Sequence, residues 1–114
     1  MAGEVDGVLN ALADPTRRAI VEALRKRPRP AGELASEFGL SPPAMSRQLR
    51  VLRLEGLVEE EHSARMDARL RVYRLRREPF QKLGAWLTGI EAFWTDQLNA
   101  FREHTERTKK GRRT

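Results

Sequence analysis

The segment SPPAMSRQLRVLR, residues 41–53, places guanidinium groups at Arg47, Arg50 and Arg53 among regularly spaced apolar residues. A guanidinium presents rigidly forked donors. These match the oxygens of a phosphate and the acceptor edge of guanine, which an ammonium does less specifically. Ahead of the arginines come small residues, Ser41, Pro42, Pro43, Ala44 and Ser46. Small side chains let a backbone approach a base edge closely. Gln48 adds a carboxamide, a second group able to hydrogen-bond a base. The chemistry on offer is polyanion recognition, with Arg47 and Arg50 well placed for it and Arg53 further out, toward the nucleic-acid backbone.

A second cationic group, Arg65 and Arg69, lies in the polar stretch SARMDAR. Arginine suits a narrow, strongly negative minor groove. Three acidic residues, Glu59, Glu60 and Glu61, precede this stretch, and Arg71 and Arg74 follow it. Across a hairpin, such charges are expected to pair with each other at its base.

Catalytic and metal chemistry find little support. The 114 residues include no cysteine and two separated histidines, with no glycine loop to cradle phosphate and no carboxylates that can be placed as a pair. The expectation is no enzyme, no metal and no cofactor. Lys+Arg number 22 against 16 Asp+Glu, for a formal charge of +6, and 18 of the 22 cations are arginine. A basic surface attracts nucleic acid or an anionic membrane. No apolar run approaches the roughly 20 residues of a membrane helix, and no apolar leader opens the chain, so a cytoplasmic protein without a membrane partner is expected.

Positioning the 41–53 segment requires a scaffold. Ser41 is a helix cap, and Pro42 and Pro43 fill the first two helical positions, where a missing N–H costs nothing. Met45, Leu49 and Leu52 form the face turned toward a core, and Gly56 ends the helix. Upstream, residues 4–12 read as a short amphipathic helix. ADPTRRAIVEALRKRP reads as a second helix, capped by Asp14, started by Pro15 and stopped by Pro28. PAGELASEFG is a third, ended by Gly39. Residues 57–62 and 69–75 read as two strands of a hairpin. The pattern predicts a mainly α fold with a small β-hairpin wing, a winged helix-turn-helix, whose docked helix must fit a major groove about 12 Å wide.

LADPTRRAIVEAL, GELASEFGLSPPAMSRQLRVLRLEGLV and RVYRL resemble the ArsR/SmtB-type winged helix-turn-helix transcriptional regulators over about residues 8–100. The tryptophans of the last helix resemble a metal-independent branch. The resemblance implies a homodimeric repressor that binds double-stranded DNA at an operator with two half-sites. Two positions depart from the family pattern: Pro42 stands where glutamine is frequent and Ala44 where threonine is. Both losses shift specificity toward Ser46, Arg47 and Gln48, or toward DNA shape. The cysteine pair of metal sensors has no counterpart in ELASEF, and His104 stands alone. A small-molecule effector is compatible with the sequence, but no residue marks its site.

The last helix is expected over residues 79–107, roughly 43 Å at 1.5 Å per residue. A compact domain of this size is only about 26 Å across. Phe80, Leu83, Leu87, Ile90, Trp94, Leu98 and Phe101 form one stripe along it. An aromatic stripe of that length calls for a partner surface, and the simplest is a second copy, with Val5 and Leu9 of the first helix packed alongside. Residues 1–104 are expected to form one DNA-binding and dimerisation domain. Residues 105–114, which lack any apolar side chain, are expected to form a basic flexible tail. The competing reading is a protein-interaction module that docks a protein partner on the winged-helix surface.

Overall fold

A computed structural model describes residues 3–62 and 71–112. The elements run α1 (Gly3–Leu12), α2 (Pro15–Lys26), β1 (Arg29–Pro30), α3 (Ala31–Phe38), α4 (Pro42–Leu54), β2 (Val58–His62), β3 (Arg71–Leu75) and α5 (Arg77–Arg112). The chain divides into two compact units, residues 1–83 and residues 84–114.

In the first unit, local chemistry sets most of the helix ends. The Asp14 carboxylate accepts from the Arg17 backbone N–H at 3.0 Å, and Pro15 opens α2. Helix α3 ends at Gly39 with φ 64°. Its C-terminal carbonyls are closed by Gly39 N–H to Ser36 and by Leu40 N–H to Ala35 at 2.9 Å. This paired closure requires a left-handed residue, which glycine adopts without steric penalty. Two residues later the Ser41 hydroxyl accepts from the Ala44 N–H at 3.2 Å, and Pro42 and Pro43 start α4. The same closure recurs at Gly56, φ 81°, where the Leu57 N–H reaches the Leu52 carbonyl at 2.9 Å.

These ends aim the apolar faces inward. Ile20, Leu34, Met45, Leu49, Leu52, Leu57 and Val58 are fully buried, and Val8, Ala11, Val21 and Leu24 join them. The expected inner faces of α2 and α4 are therefore the observed ones. Val5 is only 4% exposed, so it is buried and not part of a free surface, contrary to expectation. Phe80 and Leu83 likewise pack, half-buried, against this core. An amphipathic pattern shows which residues seek burial, but not whether the chain itself supplies the cover.

Among the described residues the sheet has three antiparallel strands in the order β1-β3-β2, one more than the expected hairpin. Glu59 faces Arg74, Glu60 faces Tyr73 and His62 faces Arg71. Strand β1 is two residues long and pairs Arg29 with Tyr73 and Pro30 with Val72. Arg29 is buried there and ion-paired to Glu37 of α3. The link between β2 and β3, with Arg65 and Arg69, lies outside the described residues.

The second unit consists of the rest of α5. The helix persists through Arg112, where a tail had been expected beyond His104. No proline interrupts the register. The Thr105 and Thr108 hydroxyls each donate, at 3.0 Å, to the carbonyl four residues earlier. Trp86, Leu87, Ile90, Phe93, Trp94, Leu98 and Phe101 are between 38% and 70% exposed. The Phe93 and Trp94 rings meet edge-to-face, with centroids 5.5 Å apart.

Candidate nucleic-acid interface

With Met45, Leu49 and Leu52 buried, α4 turns its other side to solvent. Ser41, Pro42, Pro43, Ser46, Arg47 and Arg50 are exposed, and Ala44 and Gln48 are half-buried. Eight of the residues expected to approach a groove thus lie on α4 or cap it, with Ala44 and Gln48 at the border of its buried side. The unpaired N–H groups and dipole of a helix N-terminus favour a nearby anion. Among the described residues neither Arg47 nor Arg50 takes part in an ion pair.

Arginines on and beside the sheet have a different setting. Arg74 pairs with Glu59 and also approaches Glu61 at 3.6 Å. Arg71 reaches Glu60 at 3.4 Å, and Arg53, from the end of α4, pairs with the same carboxylate. Arg76 lies 3.8 Å from Glu78. The cross-strand pairing expected of Arg71 and Arg74 is therefore present. Arg53, which had been expected to reach outward, is tied to the wing instead. Glu60 also accepts from the Tyr73 hydroxyl at 2.8 Å. Burial, reinforced by that carboxylate, raises the phenol above its ordinary value and keeps it a neutral donor.

Two residues escaped the sequence reading. Arg17 Nε donates to the Ala11 carbonyl at 2.7 Å, Nη2 donates to the Asn10 carbonyl at 3.2 Å, and Nη1 donates to the Gln48 Oε1 at 3.2 Å. Arg18 Nη1 donates to the Leu12 carbonyl at 2.7 Å and to the Ala13 carbonyl at 3.2 Å. A signal for both was present. Cations in the first turn of a helix face the positive end of its dipole, so a pair of arginines there needs acceptors from elsewhere. The carbonyls ending α1 supply them.

Of the residues expected in a dimer contact, Leu9, Leu87, Ile90, Trp94, Leu98 and Phe101 are exposed, Val5 is buried, and Phe80 and Leu83 are half-buried against the core. None of the described helices is long and apolar enough to cross a membrane.

Residues 12–61 match the family described as helix-turn-helix domain. The chain is 42% identical to the HTH-type transcriptional regulator Rv2034 of Mycobacterium tuberculosis, over 84% of this chain and 83% of that protein. An ArsR-like transcriptional regulator from Rhodococcus sp. RHA1 superposes with a TM-score of 0.75 at 30% identity, over 91% of this chain and 92% of that one. The homodimeric winged helix-turn-helix DNA-binding domain of a possible ArsR-family regulator from Mycobacterium bovis gives a TM-score of 0.63 at 25% identity, over 80% and 81% of the two chains. The fold, the exposed cationic face of α4 and the extent of these likenesses agree: the chain belongs to the ArsR/SmtB-type winged helix-turn-helix transcriptional regulators, which are DNA-binding proteins.

Proposed function

We propose that this protein is a homodimeric repressor that lays α4 into the major groove at each half of a near-palindromic operator. The observation that carries the reading is the contrast in arginine pairing. Arg47 and Arg50 stand exposed without an ion-pair partner among the described residues, while Arg53 and Arg71 share the Glu60 carboxylate and Arg74 pairs with Glu59. Ser41, Pro42, Pro43 and Ala44 permit close approach at the start of α4, and Ser46, Arg47, Gln48 and Arg50 supply the contacts. Arg65 and Arg69 reach the flanking backbone or minor groove.

The exposed stripe of Leu87, Ile90, Trp94, Leu98 and Phe101, with Leu9, meets the same stripe of a second copy. The homodimeric state named for the Mycobacterium bovis domain supports this arrangement. A two-fold dimer presents its two recognition helices to successive major grooves about 34 Å apart. Repression follows from occupying the operator, as the likeness to ArsR regulators implies.

Selection of bound fragments from random duplex DNA, followed by titration in increasing salt, tests the reading. The expected result is a near-palindromic consensus whose affinity falls steeply with salt as counterions are released. No enrichment, or affinity indifferent to salt, would overturn it and favour a protein partner on the same surface.

A further inference from the structure

We propose that Arg17 determines which bases Gln48 reads, by holding its carboxamide oxygen so that the pair faces DNA with donors alone. The inference rests on the reading of α4 as the groove-facing helix.

A guanidinium has N–H donors and no acceptor. The Gln48 atom 3.2 Å from Arg17 Nη1 must therefore be the carbonyl oxygen, because the flipped amide would set N–H against N–H. Arg17 is not free to swing away. Its Nε and Nη2 are fixed on the Ala11 and Asn10 carbonyls at 2.7 and 3.2 Å. The clamp thus runs from the end of α1, through α2, to the middle of α4.

A glutamine normally reads adenine with both ends: the oxygen accepts from the N6 amino group while the amide donates to N7. Here the oxygen already faces a cation, and an adenine amino group approaching it would meet positive charge. What Gln48 still offers freely is its Nε2 hydrogens. These suit acceptor edges, N7 and O6 of guanine or O4 of thymine. Arg17 acts through Gln48, so it is a positioning residue and need not touch DNA.

The experiment repeats the random-duplex selection with the full chain and three variants. The wild type should prefer guanine or thymine at one position in each half-site. Gln48→Ala should reduce that preference roughly tenfold, the scale of a lost base contact, and leave other positions intact. Gln48→Glu, which carries only acceptors, should turn the same position toward the cytosine amino group. Arg17→Met should move it toward adenine. Circular dichroism checks that Arg17→Met still folds. If it does not, the wild-type preference decides, because adenine at the position that Gln48→Ala relaxes would mean that Arg17 does not occupy the Gln48 oxygen. A wild-type consensus unchanged by both Gln48 substitutions would overturn this inference and spare the DNA-binding reading. So would a folded Arg17→Met that weakens binding evenly at every position. A wild type that selects no consensus would overturn both.

Discussion

Helices α4 and α5 are both amphipathic, yet their apolar faces have opposite fates. Met45, Leu49 and Leu52 of α4 are at most 1% exposed, while Leu87, Trp94, Leu98 and Phe101 of α5 are 48% or more exposed. The first stripe is satisfied by its own chain and fixes the helix so that its polar side can be presented. The second is large, aromatic and exposed, and in the proposed function it is the surface that meets a second copy. One helix spends its apolar face on folding; the other is proposed to keep it for a partner.

The sharpest way to break that contrast is Trp94→Glu. A carboxylate set into the proposed interface, unpaired and dehydrated, should abolish dimers while leaving helix content unchanged. Sedimentation that still shows a dimer would place the interface elsewhere. Next in size is Leu52→Ala, which empties a site in the core and should cost about 2–5 kcal/mol of stability in denaturant unfolding. The equivalent truncation Leu98→Ala should leave the folded unit intact and act on the concentration at which the dimer dissociates. Equal effects from the two would erase the distinction between the helices. Arg47→Ala should cost about 1–3 kcal/mol of operator affinity and relax preference at one base pair. Arg50→Ala is expected to lower affinity evenly and reduce the salt slope by about 1, the mark of a phosphate contact. The smallest effect should come from Arg74→Gln. That exposed side chain is already occupied by Glu59, so both stability and DNA affinity should scarcely move, as is usual for surface ion pairs. A large loss of affinity there would mean that the sheet contributes cations after all.

How much of this could be read from the chain depended on the reach of each interaction. The cap at Ser41, the paired prolines and the glycine stops at 39 and 56 were legible because each acts within a turn or two of backbone. The buried faces of α2 and α4 were legible through their period, and so was the Glu59–Arg74 pairing, because a hairpin brings near neighbours together. The Arg17–Gln48 contact was not, since it joins residues 31 apart through a tertiary fold. Strand β1 was missed because two residues carry no periodicity. Val5 was expected at a partner because apolar spacing shows a need for cover without naming its source. The end of α5 was placed too early because a polar composition does not itself stop a helix. Arg65 and Arg69, the expected wing contacts, lie outside the described residues.

The three-stranded sheet has a further consequence, for behaviour in a crowded cell. Its two outer strands are β1 and β2. A bare strand margin invites zippering with foreign polypeptide and the growth of insoluble deposits. Here one margin is only two residues long and contains Pro30, which has no amide hydrogen to offer, and the other carries three consecutive glutamates, Glu59 to Glu61. Misdirected strand addition is discouraged at both sides, so the molecule can display sticky aromatic rings along a helix without the sheet becoming a seed for aggregation.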